Sequence, residues 1–206
     1  MIKQSDRLNS VEEYYFSKKL REVSNMIQSG ESIINMAIGS PDLFPSIRVI
    51  DEIKNSLSDS FAHKYQSYQG LPELRDAIAK FYNKFFGVEL NPLNEVLPLM
   101  GSKEGIMHIS LAFLNPGDEV LIPNPGYPTY LSVTKLVQAN PVFYNLSEEN
   151  GWFPNLSELE NKDLSKVKLM WINYPHMPTG ASANFDQFEK LLEFAKTNNI
   201  LLINDN

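Results

Sequence analysis

The part of the chain after residue 100 alternates apolar stretches with segments of helical periodicity, and this alternation constrains the fold most strongly. The stretches 167–173 and 200–203 are mostly apolar, as strands covered on both faces of a sheet must be. Strands separated by helices of about 10–15 residues are typical of βαβ units. The sequence therefore predicts an α/β fold, with a mostly parallel sheet and helices on both faces. The predicted strands are 119–122, 142–146, 167–173 and 200–203, and the predicted helices are 102–114, 129–138 and 185–198.

Three further helices are predicted before residue 100. Ser10 and Glu13 have the spacing of a capping box, in which each side chain satisfies a free backbone N–H group of the first turn. The first helix is expected to follow that box and to end at Gly30. Apolar residues at helical spacing predict a second helix over 47–57. A third is predicted over 72–87, with proline at its first position and glycine at its end.

Composition and charge exclude several classes of protein. The 206 residues carry 18 lysines and arginines against 25 aspartates and glutamates, which gives a net charge of −7. Binding to nucleic-acid phosphates requires clustered basic residues, so we expect no nucleic-acid partner. The absence of cysteine excludes disulfides, thiolate metal sites and a cysteine nucleophile. The three histidines show no ligand-pair spacing, so we expect no metal site.

The ends of the chain and its hydropathy lead to expectations about location and completeness. No apolar run approaches the roughly 18 residues that a membrane span needs, and no secretory leader is visible. We therefore expect no membrane partner and a cytoplasmic location. The chain stops directly after the predicted strand 200–203, where a parallel sheet normally continues into a loop and helix. We expect an incomplete domain.

Five segments carry residue types suited to chemistry, and each alone is ambiguous. The glycine turn 101–105 before a predicted helix either cradles a phosphate or is an ordinary helix entry. Segment 124–130 follows a predicted strand, where open α/β sheets bind ligands, but it also fits a rigid turn with a packed aromatic residue. Segments 65–75 and 175–180 are either binding loops or plain connections. Asp205 ends an apolar strand, where a carboxylate is either functional or a turn-capping group.

The combination of these segments is more specific than any one of them. In order and spacing they resemble the class I/II aminotransferases, which depend on pyridoxal phosphate and share fold type I with aspartate aminotransferases. The opening 7–23 is similar to the N-terminal arm of the branch that contains alanine, aspartate and diaminopimelate aminotransferases. The resemblance implies an N-terminal arm and small-domain segment over 1–45 and the first part of the cofactor-binding large domain over 46–206. The matching stretches are 38–42, 65–75, 101–106, 115–120, 124–130, 175–180 and 203–205.

The resemblance assigns cofactor-binding roles position by position. Ser102 and Lys103 match the turn whose backbone N–H groups hold the cofactor phosphate at a helix N-terminus. Tyr127 matches the aromatic residue that stacks on the pyridine ring. Asp205 matches the carboxylate that pairs with the ring nitrogen and keeps it protonated, so that the cofactor can act as an electron sink. Asp205 and Tyr127 are therefore the expected catalytic residues of this chain.

Two further positions imply contacts with a partner subunit and with the substrate. Tyr65 matches the tyrosine that reaches the cofactor phosphate of the neighbouring subunit, which implies a homodimer with shared sites. Gly39 matches the glycine whose backbone approaches the substrate carboxylate.

This chain departs from the pattern of the family at one matched position, and one family residue lies outside it. The family usually has an asparagine before Pro-Thr-Gly, which donates a hydrogen bond to the phenolic oxygen of the cofactor. Met177 stands there in this chain, and a thioether cannot donate. The lysine that carries the cofactor in the family lies beyond the position of residue 206, so we expect these 206 residues alone to be inactive.

The resemblance implies a transaminase that moves an amino group between an L-amino acid and a 2-oxo acid by a ping-pong mechanism. Two alternatives stay open, because one fold can host several activities. One is a pyridoxal-phosphate-dependent lyase on the same fold. The other is a non-catalytic aminotransferase-like sensor domain.

Overall fold

The computed structural model describes residues 2–36 and 38–206, and its contacts divide the chain into two compact units. The helical unit comprises Glu13–Pro98, and the sheet unit comprises Met1–Glu12 together with Leu99–Asn206. The division at residue 45 that the sequence suggests comes from the family resemblance and remains a prediction. The stretch 33–38, which leads into the segment that carries Gly39, includes Ala37, which lies outside the described residues.

The helical unit contains α1 (Tyr15–Gln28), α2 (Ile47–Ser56) and α3 (Pro72–Phe86). Helix α3 confirms its prediction closely, because proline occupies its first turn and the residue after its end, Gly87, adopts the left-handed conformation with φ of 67°. Gly30 follows α1 with a positive φ of 93°, as expected.

The predicted capping box of α1 is wrong. Ser10 ends a short 3-10 helix, Asp6–Ser10, and its hydroxyl donates to the carbonyl oxygen of Arg7 at 3.0 Å. The Glu13 carboxylate pairs instead with Arg21, at 2.5 and 2.7 Å, which lowers the pKa of that carboxyl group. The helix therefore begins at Tyr15 without a side-chain cap.

The sheet unit is built on four parallel strands, in the order β2-β1-β3-β4. They are β1 (Glu119–Asn124), β2 (Asn140–Asn145), β3 (Val167–Ile172) and β4 (Leu201–Asn204). Its helices are α4 (Ser102–Phe113), α5 (Pro128–Leu136), α6 (Leu156–Glu160) and α7 (Phe185–Thr197), with a 3-10 helix at Glu148–Asn150. This arrangement confirms the predicted α/β class with a parallel sheet, and α6 is an addition to the predicted elements.

The strands bury alternate residues in two cores, one on each face of the sheet, as the two-residue period of a strand requires. Along β3, Leu169 and Trp171 face the core under α4 and α5, here called the α5 core, while Met170 and Ile172 face the core under α7, the α7 core. The α5 core also contains Ile106, Val120, Ile122, Tyr130 and Val133, and the α7 core also contains Leu121, Leu159, Leu191, Phe194 and Ala195. The helices therefore cover both faces, as predicted.

The order in which strands are added to the sheet reverses at β1: β2 is added on one side of it, and β3 and β4 are added on the other. From β1 the chain passes through α5 to β2 on one side, and β3 and β4 lie on the other side of β1. In open parallel sheets, ligands bind in the crevice that forms at such a point, outside the carboxyl ends of the strands. The segments that leave β1 and β3 at this edge are 124–130 and 173–180.

Candidate active site

Asp205 continues the ladder of β4 one residue past its end. The register pairs Ile172 with Asn204, and the Asp205 N–H donates to the Ile172 carbonyl oxygen at 3.0 Å. Ile203 packs against the α5 core, so Asp205, two residues on, faces the same side of the sheet. The carboxylate thus projects at the carboxyl edge, toward α5.

A buried tyrosine holds the Asp205 carboxylate. The Tyr130 hydroxyl donates to Asp205 Oδ2 at 2.8 Å. The Tyr130 ring is fully buried and stacks on Trp171, with centroids 5.1 Å apart and planes 6° from parallel. Burial and the hydrogen bond to Asp205 raise the pKa of the Tyr130 hydroxyl far above its usual value, so it remains a neutral donor. The carboxylate is thus anchored through its Oδ2 atom.

Tyr127 joins this pair to the start of α4. It is the N-cap residue of α5, half-buried, and its ring lies edge-on to that of Tyr130 at 5.7 Å between centroids. The Lys103 ammonium lies 5.6 Å from the centroid of the Tyr127 ring, within the range of a cation–π contact. Lys103, Tyr127, Tyr130 and Asp205 therefore form one continuous chain of contacts.

The turn before α4 leaves an open helix N-terminus. Gly101 has a φ of 96°, and a Cβ added there would meet no heavy atom within 4 Å. Ser102 and Lys103 begin α4 and are exposed. The N–H groups of a first helical turn have no acceptor within the helix, and the helix dipole favours an anion beside them. One carboxylate is already at this end, because Glu104 Oε2 accepts from the Met100 N–H at 2.6 Å.

The close turn from β1 into α5 explains the glycine of the 124–130 segment. A Cβ on Gly126 would lie 2.4 Å from the carbonyl oxygen of Pro123, so only glycine fits there without a backbone shift. Pro128 occupies the first turn of α5, where proline is favoured because its missing N–H costs no hydrogen bond. The turn fixes the start of α5, and with it Tyr127.

The loop after β3 is tied both to β4 and to itself. The Asn173 side chain donates from Nδ2 to the backbone carbonyl oxygen of Asp205 and accepts at Oδ1 from the Met177 N–H, at 2.7 Å. The Met177 side chain is 46% exposed. This loop places position 177 beside the strand end that carries Asp205.

His176, next to Met177, is buried. It is 2% exposed, and its Nδ1 lies 2.7 Å from the Thr179 hydroxyl oxygen. Burial lowers the pKa of the His176 imidazole, and the nearby backbone carbonyl of Pro125 opposes part of that shift. The ring is therefore neutral near pH 7.

The structure brings some of the sequence-predicted residues together. Ser102, Lys103, Tyr127 and Asp205 share the carboxyl edge of the sheet unit, with Met177 in the neighbouring loop. Tyr65 and Gly39 belong to the helical unit, where both are exposed.

Sequence reasoning missed three residues at this site: Tyr130, Trp171 and Asn173. Tyr130 follows Tyr127 by three positions, and this spacing places both rings on one face of a helix. That spacing was a usable signal for Tyr130. The Trp171 contact depends on how α5 packs on the sheet, and the Asn173 contact with Asp205 depends on the register between β3 and β4. No local pattern indicates either.

Residues 2–36 and 38–206 hold no group of three or more His, Asp or Glu side chains that could bind a metal ion. The same residues contain no helix both long enough and apolar enough to cross a bilayer.

Comparison with known proteins shows the family of the chain. The family model described as Aminotransferase class I and II matches residues 31–206. The chain belongs to this family. Class I and II aminotransferases depend on pyridoxal phosphate, and the parallel sheet with its flanking helices is their fold type I.

Two curated aminotransferases and one solved structure match this chain over nearly its whole length. The LL-diaminopimelate aminotransferase of Dehalococcoides mccartyi strain 195 is 41% identical over 204 residues, which are 99% of this chain and 53% of that protein. The LL-diaminopimelate aminotransferase of Aquifex aeolicus is 38% identical over 206 residues, 100% of this chain and 53% of that protein. The structure of apo-BacF from Bacillus subtilis matches with a TM-score of 0.93 at 37% identity, over 100% of this chain and 52% of that one. The chain spans about half the length of the curated relatives it matches.

The edge of the sheet fits the cofactor of the aminotransferases. The Asp205 carboxylate, anchored through Oδ2 by the Tyr130 hydroxyl, offers a negative charge suited to a protonated ring nitrogen. Tyr127 offers an aromatic ring between that carboxylate and the α4 N-terminus. The open space at Gly101 leaves room for a phosphate at the helix dipole. The carboxylate, the aromatic ring and the open helix N-terminus thus match a pyridine ring that carries a phosphate arm.

Proposed function

We propose that the full-length protein is a pyridoxal-phosphate-dependent aminotransferase, which moves an amino group between an L-amino acid and a 2-oxo acid. The observation that carries the proposal is the hydrogen-bonded pair Tyr130–Asp205, linked through Tyr127 to the open N-terminus of α4. Membership of the aminotransferase family supports the same assignment. By the resemblance, the lysine that carries the cofactor lies beyond residue 206.

Each residue of the edge has a task in binding this cofactor. The backbone N–H groups of Ser102 and Lys103 would hold the phosphate at the helix N-terminus. Tyr127 would stack on the ring. Met177 would lie on the side of the phenolic oxygen, to which its thioether cannot donate.

Asp205 would govern the chemistry through a single proton. When bound, pyridoxal phosphate supplies an electron sink for the carbanion that forms at the substrate carbon. That sink requires a protonated ring nitrogen, and the Asp205 carboxylate keeps the proton there by charge pairing. The Tyr130 hydroxyl, itself held in place by stacking on Trp171, fixes the direction of the carboxylate.

The proposal extends to the substrate and to a second subunit. Gly39 would let its backbone approach the substrate carboxylate, and no heavy atom lies within 4 Å of the place where its Cβ would be. Tyr65 is fully exposed in the helical unit, which supports a role on the cofactor phosphate of a partner subunit in a homodimer. Relatives that are 41% and 38% identical carry the name LL-diaminopimelate aminotransferase, so LL-diaminopimelate is the first amino donor to assay. The proposal keeps the cytoplasmic location expected from the sequence.

The test replaces Asp205 in the natural full-length protein. Wild-type protein should gain visible absorption with pyridoxal phosphate and should convert a 2-oxo acid to an amino acid. Asp205→Ala should lower kcat by at least about a hundredfold, a loss typical of removing one group that stabilises developing charge.

A second aspartate gives the matched control. Asp163 caps an exposed turn by accepting from the Ser165 N–H at 3.0 Å, so Asp163→Ala should keep wild-type turnover. Near-normal turnover in Asp205→Ala would show that Asp205 only terminates a strand. A wild-type protein that stays colourless with the cofactor would contradict the function itself.

A further inference from the structure

Two asparagines extend the pairing of β3 and β4 beyond the last ladder bonds. Asn204 Oδ1 accepts from the Tyr174 N–H at 3.1 Å, and Asn173 Nδ2 donates to the Asp205 carbonyl oxygen. Each side chain therefore bonds the backbone within two residues of the end of the opposite strand. Asp205 is held where the regular sheet has already ended.

Asn173 also bonds in a second direction. Its Oδ1 accepts from the Met177 N–H at 2.7 Å, four residues along the same loop. The Asn173 amide thus connects position 177 with position 205. Only a side-chain amide carries a donor and an acceptor in this forked geometry; a carboxylate lacks the donor, and an aliphatic side chain lacks both.

The backbone of Asp205 depends on this amide. Among the described residues, it makes two hydrogen bonds, from its N–H to Ile172 and from its carbonyl oxygen to Asn173. The first is a ladder bond that any residue would make. The second orients the peptide plane that follows Asp205 and so restricts the rotation of the residue that carries the carboxylate.

We propose that Asn173 is a positioning residue that sets the Asp205 carboxylate and the residue-177 loop in one fixed relation. On the proposed function, on which this inference rests, those two positions would face two different atoms of the cofactor: the ring nitrogen and the phenolic oxygen. Asn173 acts through them and does not itself touch the cofactor.

The experiment uses the natural full-length protein and pyridoxal phosphate labelled with ¹⁵N in the ring. The ¹⁵N chemical shift reports directly whether the ring nitrogen is protonated, and it is followed against pH. Asn173→Ala should move the deprotonation midpoint of the ring nitrogen down by about one pH unit and weaken cofactor binding about tenfold, the size expected from one or two hydrogen bonds.

A matched asparagine separates positioning from general stability. Asn145 accepts from Asn124 Nδ2 at 2.9 Å at the ends of β1 and β2, so Asn145→Ala removes a comparable bond on the far side of the sheet. It should leave the ¹⁵N midpoint unchanged. If Asn173→Ala does not accumulate as folded protein, Asn173→Ser, which keeps a hydroxyl, takes its place and should shift the midpoint in the same direction.

The outcomes distinguish the inference from the function beneath it. A shift of the ¹⁵N midpoint in Asn173→Ala that is absent in Asn145→Ala supports the inference. If Asp205→Ala changes the midpoint while Asn173→Ala lowers only the melting temperature, Asn173 is merely structural and the inference is overturned. If wild-type protein binds no cofactor, the proposed function fails and the inference with it.

Discussion

Tyr130 is the residue that gives Asp205 a defined direction. Its ring belongs to the α5 core and is stacked on Trp171, while its hydroxyl reaches the carboxylate at the edge of the sheet. A buried aromatic ring has few accessible rotamers, so the hydrogen bond is made by a donor that cannot move away. The position of the Asp205 carboxylate at the edge of the sheet is thus set by the α5 core beneath it.

Tyr130→Phe tests this role, because it removes the hydroxyl and keeps the stacked ring. We expect kcat to fall about tenfold, the equivalent of roughly one charge-assisted hydrogen bond. Tyr144→Phe is the control, since the Tyr144 hydroxyl is also buried and donates to the Trp171 carbonyl oxygen at 2.6 Å, but its ring lies in the α7 core. Steady-state kinetics of both variants decide the question: equal losses would mean that only stability was affected.

Met177 leads to a second prediction at this scale. Met177 offers no hydrogen-bond donor to the phenolic oxygen of the cofactor. The proton beside that oxygen should therefore be lost at a higher pH than it would be with asparagine at position 177. The neighbouring His176 is buried against Thr179 and does not replace asparagine as the donor to that oxygen. Met177→Asn should therefore lower the pH midpoint of the visible absorption change of the bound cofactor by at most about one to two units. A midpoint that stays or rises in the spectroscopic titration would show that residue 177 does not face that oxygen.

At the scale of elements, the sequence predicted the sheet and most of its helices. The continuous apolar runs around Met170 and Leu202 required strands buried on both faces, and Pro72 and Gly87 marked both ends of α3. The α1 start was wrong because the Glu13 carboxylate has a stronger partner in Arg21 than a backbone N–H. Competition of that kind depends on side-chain geometry and leaves no local signature.

The site was predictable in its residue types but not in its contacts. Ser102, Lys103, Tyr127 and Asp205 were assigned by resemblance, and the structure places them along one edge. The bond between Tyr130 and Asp205 joins residues 75 positions apart and depends both on how α5 packs on the sheet and on the register of β3 with β4. No periodicity encodes that register, since it follows from how the two cores are packed.

The loop after β3 should make stability depend on pH. Burial lowers the pKa of His176 in the folded state, so the unfolded chain binds more protons than the folded chain below the usual histidine pKa of about 6.5. Stability therefore falls as pH drops through that value and levels off below the folded-state pKa. Melting temperatures of the full-length protein between pH 7 and 5 should show the decline.

Replacing the buried histidine tests this pH effect. His176→Asn should flatten the decline of the melting temperature between pH 7 and 5. An identical pH profile in wild type and His176→Asn would assign the decline to other groups.

At the scale of the whole molecule, the proposed dimer makes a prediction about shared sites. Tyr65 is fully exposed in its own unit and would serve the cofactor phosphate of a partner. A Tyr65→Phe protomer mixed with a protomer lacking the cofactor-carrying lysine should recover activity above either parent, because one of the two sites in the heterodimer is then intact. Activity assays of the mixture after subunit exchange check this, and the absence of any recovery argues against sharing.

The separation of the two cores has a consequence for how this protein can change over time. Tyr130 and Trp171, which support the candidate site, lie in the α5 core, whereas Leu191 and Phe194 of α7 pack on the other face of the sheet. Residues without shared contacts contribute to stability almost independently. Adaptation to a new growth temperature can therefore proceed by repacking under α7, while the face beneath Asp205 is left unaltered. Substitutions at Leu191 and Phe194 should therefore change the stability of the fold with little effect on Tyr130 and Asp205.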